Sequence, residues 1–233
     1  MDEKIIGILA GMGPKSTAPF VNLVIDECQR QYGAKYDDEF PPMMIYSLPT
    51  PFYIDRPINH ELMKSTIIKG LQKLESVGVS FIAMPCNSAH IYFKDLQDSI
   101  NIPLLNIVEK TVNQLPNEPQ RVTIFSTVST LESGIYQNGI MGKGYKFVFK
   151  NEWQSELNEL IQTIKTDKEK VKNIVLWKKL IEDVKREAVN SIVIACTDLN
   201  VVLEEEIPDF YIIDSSKCLA QVVVKKYLEM TKR

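Results

Sequence analysis

The sequence predicts an α/β protein with two similar three-layer domains, each built on a mainly parallel sheet. Apolar runs short enough for buried strands alternate with segments of helical periodicity. The same order of elements occurs in both halves of the 233 residues, and a chain of this length can form two domains of about 100 residues each. We therefore expect residues 1–100 together with 211–233 to form the first domain, and residues 101–210 to form the second.

In the first half, an apolar run at residues 4–10 predicts a buried strand. The glycine-rich turn at 11–14 ends in a proline, which suits the first position of the helix that should follow. A second strand is predicted at 43–48, a helix at 59–78 and a third strand at 79–84. This half therefore runs strand, helix, strand, helix, strand.

The second half repeats this order. A strand at 121–125 is followed by a hydroxyl-rich segment at 126–134, and a second strand is predicted at 145–149. Two helices should occupy most of 152–188, and a third strand is predicted at 192–195. The two halves thus predict two pseudo-symmetric sheets with the same connectivity.

The C-terminal segment is additional to this repeat. A strand at 211–214 and a helix at 215–230 should fold back onto the first domain. Cys218 lies on this helix and Cys28 lies on an earlier one, each at helical spacing from apolar residues. We predict that both cysteines are core residues.

Composition excludes several classes of protein. The net charge of −3 and the pI near 5.6 argue against a nucleic-acid-binding surface, which usually requires a basic face. The N-terminus does not resemble a signal peptide, and no apolar run approaches the roughly 18 residues of a membrane span. We expect a cytoplasmic protein whose four cysteines are free thiols.

Two of these thiols have equivalent settings. Cys86 and Cys196 each follow the third predicted strand of their half. Ligands of open α/β sheets bind outside the carboxyl ends of the strands, and a thiol that faces a helix N-terminus is more easily ionised. Two buried structural cysteines are the simpler alternative, but the matched settings and the polar neighbours favour a reactive pair.

Four motifs, in this order, resemble the aspartate/glutamate racemase superfamily and within it the aspartate racemase branch. They are Gly-Met-Gly-Pro at 11–14, Pro-Cys-Asn-Ser-Ala-His at 85–90, Ser-Thr-Val-Ser-Thr at 126–130, and Ala-Cys-Thr-Asp-Leu at 195–199. The resemblance implies two pseudo-symmetric α/β domains with the active site in the cleft between them. It also implies a homodimer that uses neither a cofactor nor a metal.

The resemblance assigns Cys86 and Cys196 to opposite faces of the α-carbon of an amino-acid substrate. A free thiol has a pKa of roughly 8.5, so a thiolate base and a thiol acid can coexist near neutral pH. One cysteine would remove the α-proton while the other donates a proton, and the roles would reverse in the opposite direction. This sequence departs from the family pattern at Ser88, usually threonine, and at Asp198, often glutamate.

The resemblance also makes Arg56 and Lys165 the cations that engage the charged groups of the substrate. A guanidinium fork suits a carboxylate, so the expected substrate is aspartate or glutamate. Backbone N–H groups, hydroxyls and an amide would stabilise the enediolate-like intermediate. The other candidate substrate-binding residues are Met12, Asn87, Ser88, Thr127, Thr130, Thr197 and Asp198.

The same residues admit other interpretations. His90 follows Cys86 by four residues, as in a cysteine–histidine hydrolase, but that scheme leaves the second cysteine without a role, so we predict a structural hydrogen bond for His90. The turn at 11–14 lacks the third glycine of a dinucleotide loop. Two alternatives stay open: an isomerase or decarboxylase of a dicarboxylic acid on the same scaffold, and a catalytically silent amino-acid-binding protein.

Overall fold

Two parallel four-stranded sheets organise the part of the chain that the computed structural model describes, residues 3–52, 57–118, 120–166, 170–203 and 210–231. The strand orders are β2-β1-β3-β4 and β6-β5-β7-β8, and every neighbouring pair is parallel. The strands are β1 Ile6–Ala10, β2 Met43–Ser47, β3 Phe81–Ala83, β4 Leu104–Leu105, β5 Arg121–Ser126, β6 Lys146–Phe147, β7 Ser191–Ala195 and β8 Tyr211–Asp214. The predicted fold class, two parallel-sheet α/β domains, is confirmed.

Helices connect these strands. The α-helices are α1 Thr17–Tyr32, α2 His60–Ser76, α3 Phe93–Asp98, α4 Ile107–Val112, α5 Val128–Glu132, α6 Ile135–Gly142, α7 Asn151–Thr166, α8 Lys170–Arg186 and α9 Ser215–Thr231. Short 3₁₀ helices occur at Pro14–Ser16, Asp37–Glu39, Ser88–Tyr92 and Thr197–Val202. None of the helices in the described ranges is long and apolar enough to cross a membrane.

The first unit consists of Met1–Ile107 with Ser216–Arg233. Its central strand β1 is buried along its whole length. Helix α2 covers one face of the sheet, where Ile67 and Leu71 pack in one apolar cluster with Leu9 of β1. Burying these side chains supplies the main driving force for this unit.

The second unit consists of Val108–Ser215. Helices α7 and α8 pack on its sheet through an apolar cluster that includes Leu157, Trp177 and Ile194. Trp177 is 1% exposed and makes an edge-to-face contact with Phe125, with ring centroids 5.6 Å apart. This packing holds α7 and α8 against the sheet.

The structure divides the chain differently from the predicted boundaries of 100 and 211. The strand at Leu104–Leu105 pairs with β3 in the first sheet, and the strand at Tyr211–Asp214 pairs with β7 in the second. The connection after β7 is long enough for the chain to return to the amino end of the sheet, as a parallel neighbouring strand requires. Only α9 joins the first unit, where the Gln31 amide donates to the Gln221 carbonyl at 3.0 Å.

The predicted core cysteines are confirmed. Cys28 is fully buried on α1 and Cys218 is 6% exposed on α9. Burial raises the pKa of the Cys28 thiol, which keeps it protonated and unreactive near neutral pH.

Substitution of Gly11 tests the turn that follows β1. Gly11 has φ +92°, and a Cβ there would lie 2.6 Å from both the N and the O of Leu48. We expect Gly11→Ala to lower the free energy of unfolding by about 3 kcal/mol or more, because a left-handed backbone and a backbone collision act together. Urea denaturation measures the change.

Gly33→Ala is the matched control, since Gly33 has φ +74° but nothing within 4 Å of its Cβ position. Gly33→Ala should lower the free energy of unfolding by about 1 kcal/mol, because only the left-handed backbone conformation opposes the substitution. Equal losses in the two variants would contradict the proposed collision.

Candidate active site

The carboxyl ends of β1 and β3 form the candidate site of the first unit. The Gly11 N–H donates to the Thr17 hydroxyl at 3.2 Å, which anchors the turn to the start of α1. Met12 and Cys86 are both partly buried against the apolar cluster beneath α2, and both line a narrow recess at this edge. The structure therefore brings these two predicted site residues together.

The loop after β3 presents Cys86 at the edge of the sheet. The Cys86 N–H donates to the Met84 carbonyl at 2.8 Å, and the thiol is only partly buried. A 3₁₀ helix begins at Ser88, which is half-buried, while Asn87 is 3% exposed. A short helix therefore follows the cysteine.

His90 forms hydrogen bonds with the backbone of this loop. Its Nδ1 lies 2.8 Å from the Cys86 carbonyl oxygen and must donate to it, because a carbonyl only accepts. In the neutral ring Nε2 is then an acceptor, and the Ile107 N–H donates to it at 3.3 Å. Both ring nitrogens are thus bonded to backbone groups, which confirms the predicted structural role of His90.

Burial lowers the pKa of His90, although its contacts with the Cys86 and Leu105 carbonyls oppose the shift. The side chain is 3% exposed. Nε2 also lies 3.3 Å from the Leu105 carbonyl oxygen, so burial, and not the lack of an acceptor, is what favours the neutral ring. His90 therefore positions the backbone of Cys86 and does not act as a base on its thiol.

In the second unit, hydroxyl groups occupy the turn after β5. The Thr127 hydroxyl accepts from the Thr130 N–H at 3.4 Å and caps α5. It also lies 3.1 Å from each of the Ser129 and Thr130 hydroxyl oxygens. Thr130 is fully buried whereas Thr127 is partly exposed, so Thr127 is the accessible member of this predicted pair.

Gln154 is a supporting residue that the sequence analysis missed. It is 8% exposed, and its amide donates to the Ser126 carbonyl at 3.0 Å, immediately before Thr127. A glutamine on the apolar face of an amphipathic helix is a signal that sequence inspection can find. Its partner is not visible in the sequence.

Lys165, Asp198 and Cys196 form a connected group in the second unit. The Lys165 Nζ lies 2.7 Å from Asp198 Oδ2, and the Cys196 Sγ lies 3.8 Å from the same oxygen. Asp198 and Cys196 are 8% and 6% exposed, and the Lys165 side chain is 21% exposed. A buried carboxylate requires a cation or a hydrogen-bond donor, and here it contacts both an ammonium and a thiol.

Thr197 and Arg56 are the remaining predicted site residues. Thr197 lies between Cys196 and Asp198 at the start of the 3₁₀ helix and is half-buried. Arg56 lies outside the described residues.

The sequence matches a known protein family over most of its length. A family model described as Asp/Glu/hydantoin racemase matches residues 9–223, nearly the whole chain. The chain belongs to the Asp/Glu/hydantoin racemase family. Over 224 residues it is 48% identical to a Bacillus subtilis protein named broad specificity amino-acid racemase RacX, covering 96% of this chain and 98% of that one.

Solved structures of this family share the fold. Picrophilus torridus aspartate racemase superposes with a TM-score of 0.77 at 28% identity, over 96% of this chain and 94% of that one. An aspartate racemase homologue from Pyrococcus horikoshii also gives 0.77, at 24% identity, over 96% and 98% of the two chains. These similarities confirm the predicted family and its two-domain architecture.

Substitution of His90 should change how stability depends on pH. The unfolded chain binds a proton at this imidazole below about pH 6.5, whereas the native state, with a lowered pKa, resists it. The free energy of unfolding should therefore fall between pH 7 and pH 5, and His90→Gln should remove part of that fall. Urea denaturation at both pH values measures the difference.

The matched control is His60→Gln, which removes the other imidazole of the chain from an exposed position. Identical pH dependence in wild type and His90→Gln would show that His90 does not contribute in this way.

Proposed function

We propose that this protein is a cofactor-independent amino-acid racemase in which Cys86 and Cys196 exchange the α-proton of the substrate. The observation that carries the proposal is the equivalent placement of the two thiols. β3 and β7 are the inner third strands of sheets with identical order, and each cysteine lies just beyond the carboxyl end of its strand. Membership of the racemase family and the RacX similarity support the same activity.

Inversion at the α-carbon requires a base on one face and an acid on the other. With Cys86 as thiolate and Cys196 as thiol, the thiolate takes the α-proton while the opposite S–H delivers its proton to the other face. The products are the inverted amino acid, a Cys86 thiol and a Cys196 thiolate, so the charge is conserved. The reverse reaction uses the opposite protonation states.

The intermediate carries negative charge on the substrate carboxylate. We propose that neutral donors at the two strand ends stabilise it: the Asn87 amide, the Ser88 and Thr197 hydroxyls, and the N–H groups after each cysteine. Thr127 contributes a further hydroxyl, held in place through Thr130. Met12 would form the apolar floor of the substrate site beside Cys86.

The substrate is proposed to be an α-amino acid, with aspartate and glutamate in the accepted range. That pair is favoured by the family resemblance, while the RacX name supports a wider range. By the same resemblance we propose a homodimer that works in the cytoplasm, with Arg56 and Lys165 as cations of the site.

Hydrogen exchange at the α-carbon tests the two-thiol mechanism. In D2O, wild-type protein should exchange and invert members of a panel of L- and D-amino acids, as followed by NMR and circular dichroism. Cys86→Ser and Cys196→Ser should each slow inversion by about 10² to 10⁴-fold, the usual contribution of a general acid or base. Each variant should retain exchange with only one enantiomer, and the two should differ in which one.

Cys218→Ala is the matched control, because it removes a buried thiol from α9 and should leave inversion near the wild-type rate. Inversion that survives in both serine variants would exclude the mechanism. Binding without exchange would instead indicate an amino-acid-binding protein, and turnover of dicarboxylic acids alone would indicate the related isomerase or decarboxylase chemistry.

A further inference from the structure

Tyr92 and His60 link the segment after Cys86 to helix α2. The Nδ1 of His60 lies 2.7 Å from the Tyr92 hydroxyl oxygen, which is hydrogen-bond distance, and the two rings make an edge-to-face contact with centroids 5.9 Å apart. Tyr92 ends the 3₁₀ helix that begins two residues after Cys86, and His60 is the first residue of α2. The pair therefore ties the chain beyond Cys86 to the start of α2.

Both ends of this link are themselves fixed. On one side, the Leu62 N–H donates to the Asn59 side-chain oxygen at 3.0 Å, which caps the start of α2. On the other side, the His90 Nδ1 donates to the Cys86 carbonyl at 2.8 Å, and the His90 ring stacks on Phe93 with centroids 5.7 Å apart. The link therefore has a fixed point at each end.

The Tyr92 side chain lies close to the Cys86 thiol. Both are partly buried against the apolar cluster beneath α2. Burial raises the pKa of the Tyr92 phenol, and negative charge on Glu61 or Cys86 raises it further. The Lys64 ammonium acts in the opposite direction. Because Coulomb interactions fall with distance and are screened by salt, this coupling agrees with the shared packing, and the phenol stays neutral near neutral pH.

We infer that Tyr92 is a positioning residue for Cys86, and that its contact with His60 holds it in place. The inference rests on the proposed function, in which the Cys86 sulfur exchanges a proton with the α-carbon of the substrate. Tyr92 takes no proton in this scheme. Its ring limits where the Cys86 sulfur can lie.

The position of the sulfur matters because proton transfer depends steeply on the distance between sulfur and carbon. A displacement of about 1 Å in a reacting group can slow a reaction by roughly a hundredfold. Cys86 lies in a loop and its thiol is only partly buried, so the backbone bond from His90 does not by itself fix the orientation of the side chain. A nearby aromatic ring restricts that orientation, provided that the ring is itself fixed.

A contact with a purely structural role would affect the two directions of racemisation equally. A positioning role at Cys86 predicts an asymmetry, because Cys86 removes the α-hydrogen in one direction and returns a proton in the other. Slower transfer at Cys86 makes removal of the hydrogen more rate-limiting in the first direction and less so in the second. The two enantiomers have equal free energy, so kcat/KM is the same in both directions and only isotope effects reveal the difference.

The kinetic experiment uses Tyr92→Phe, which keeps the ring and removes the hydroxyl. We expect kcat to fall by about three- to tenfold, with KM within about twofold of the wild-type value. With α-deuterated amino acids, the primary isotope effect on kcat/KM should rise for the enantiomer that Cys86→Ser no longer exchanges. It should fall for the opposite enantiomer.

Alkylation of the Cys86 thiol gives a second readout, which requires no turnover. Iodoacetamide is added at fixed pH, and mass spectrometry of the peptide that contains Cys86 follows the reaction. The rate should be at least about threefold higher in Tyr92→Phe than in wild type, because the thiol is less enclosed.

Variants of His60 test whether the contact, rather than the phenol alone, carries the effect. His60→Ala should reproduce the Tyr92→Phe results, and the double variant should be no worse than either single variant. His60→Asn places an amide near the position of Nδ1 and should restore values closer to wild type. Tyr145→Phe is the matched control: it removes a hydroxyl that donates to the Pro116 carbonyl at 2.7 Å in the second unit, and it should leave both readouts unchanged.

Isotope effects or a Cys86 alkylation rate equal to wild type in folded Tyr92→Phe would overturn the inference, as would equal shifts for both enantiomers. Thermal melting establishes that each variant is folded. If Tyr92→Phe does not fold, His60→Ala, a change at an exposed residue, is judged by the same criteria. If the protein binds amino acids without turnover, the racemase proposal fails, and the alkylation rates alone decide whether Tyr92 positions the Cys86 thiol.

Discussion

Parallel pairing of neighbouring strands is the constraint on which each unit depends. In the second unit Ser126 of β5 is in register with Ala195 of β7, so both strands end at the same level of the sheet. Thr127 and Cys196 are the next residues along the chain and therefore lie at one edge. The same rule places the turn after β1 beside the loop after β3 in the first unit, where they line one recess.

Rigid support at this edge comes from buried polar side chains that bind backbone carbonyls. His90 donates to the Cys86 carbonyl, and Gln154 donates to the Ser126 carbonyl. Leaving such a buried group without a partner costs about 1–3 kcal/mol, so each contact holds its loop in one conformation. A site that must stabilise an intermediate with fixed dipoles benefits from this rigidity, because the donors need no rearrangement during the reaction.

Sequence patterns predict this fold well because apolar periodicity and strand-end cysteines are local features. The order of elements, the buried positions of Cys28 and Cys218 and the structural role of His90 all follow from residues close in sequence. The domain boundary near residue 211 does not follow, because the partner of β8 depends on which sheet edge its apolar residues can cover. The contact between Lys165 and Asp198 is also hidden, since it depends on which face α7 turns toward the end of β7.

Charge balance connects the proposed chemistry with this pair. Lys165 is paired with Asp198, so in the proposed mechanism Arg56 and the neutral donors share the stabilisation of the substrate carboxylate. Hydroxyl and N–H dipoles bind the carboxylate more strongly as it gains enediolate charge, whereas a full cation would also bind the ground state tightly. In this scheme the ion pair beside Cys196 therefore leaves much of the differential binding to the hydroxyl and N–H groups that respond to the transition state.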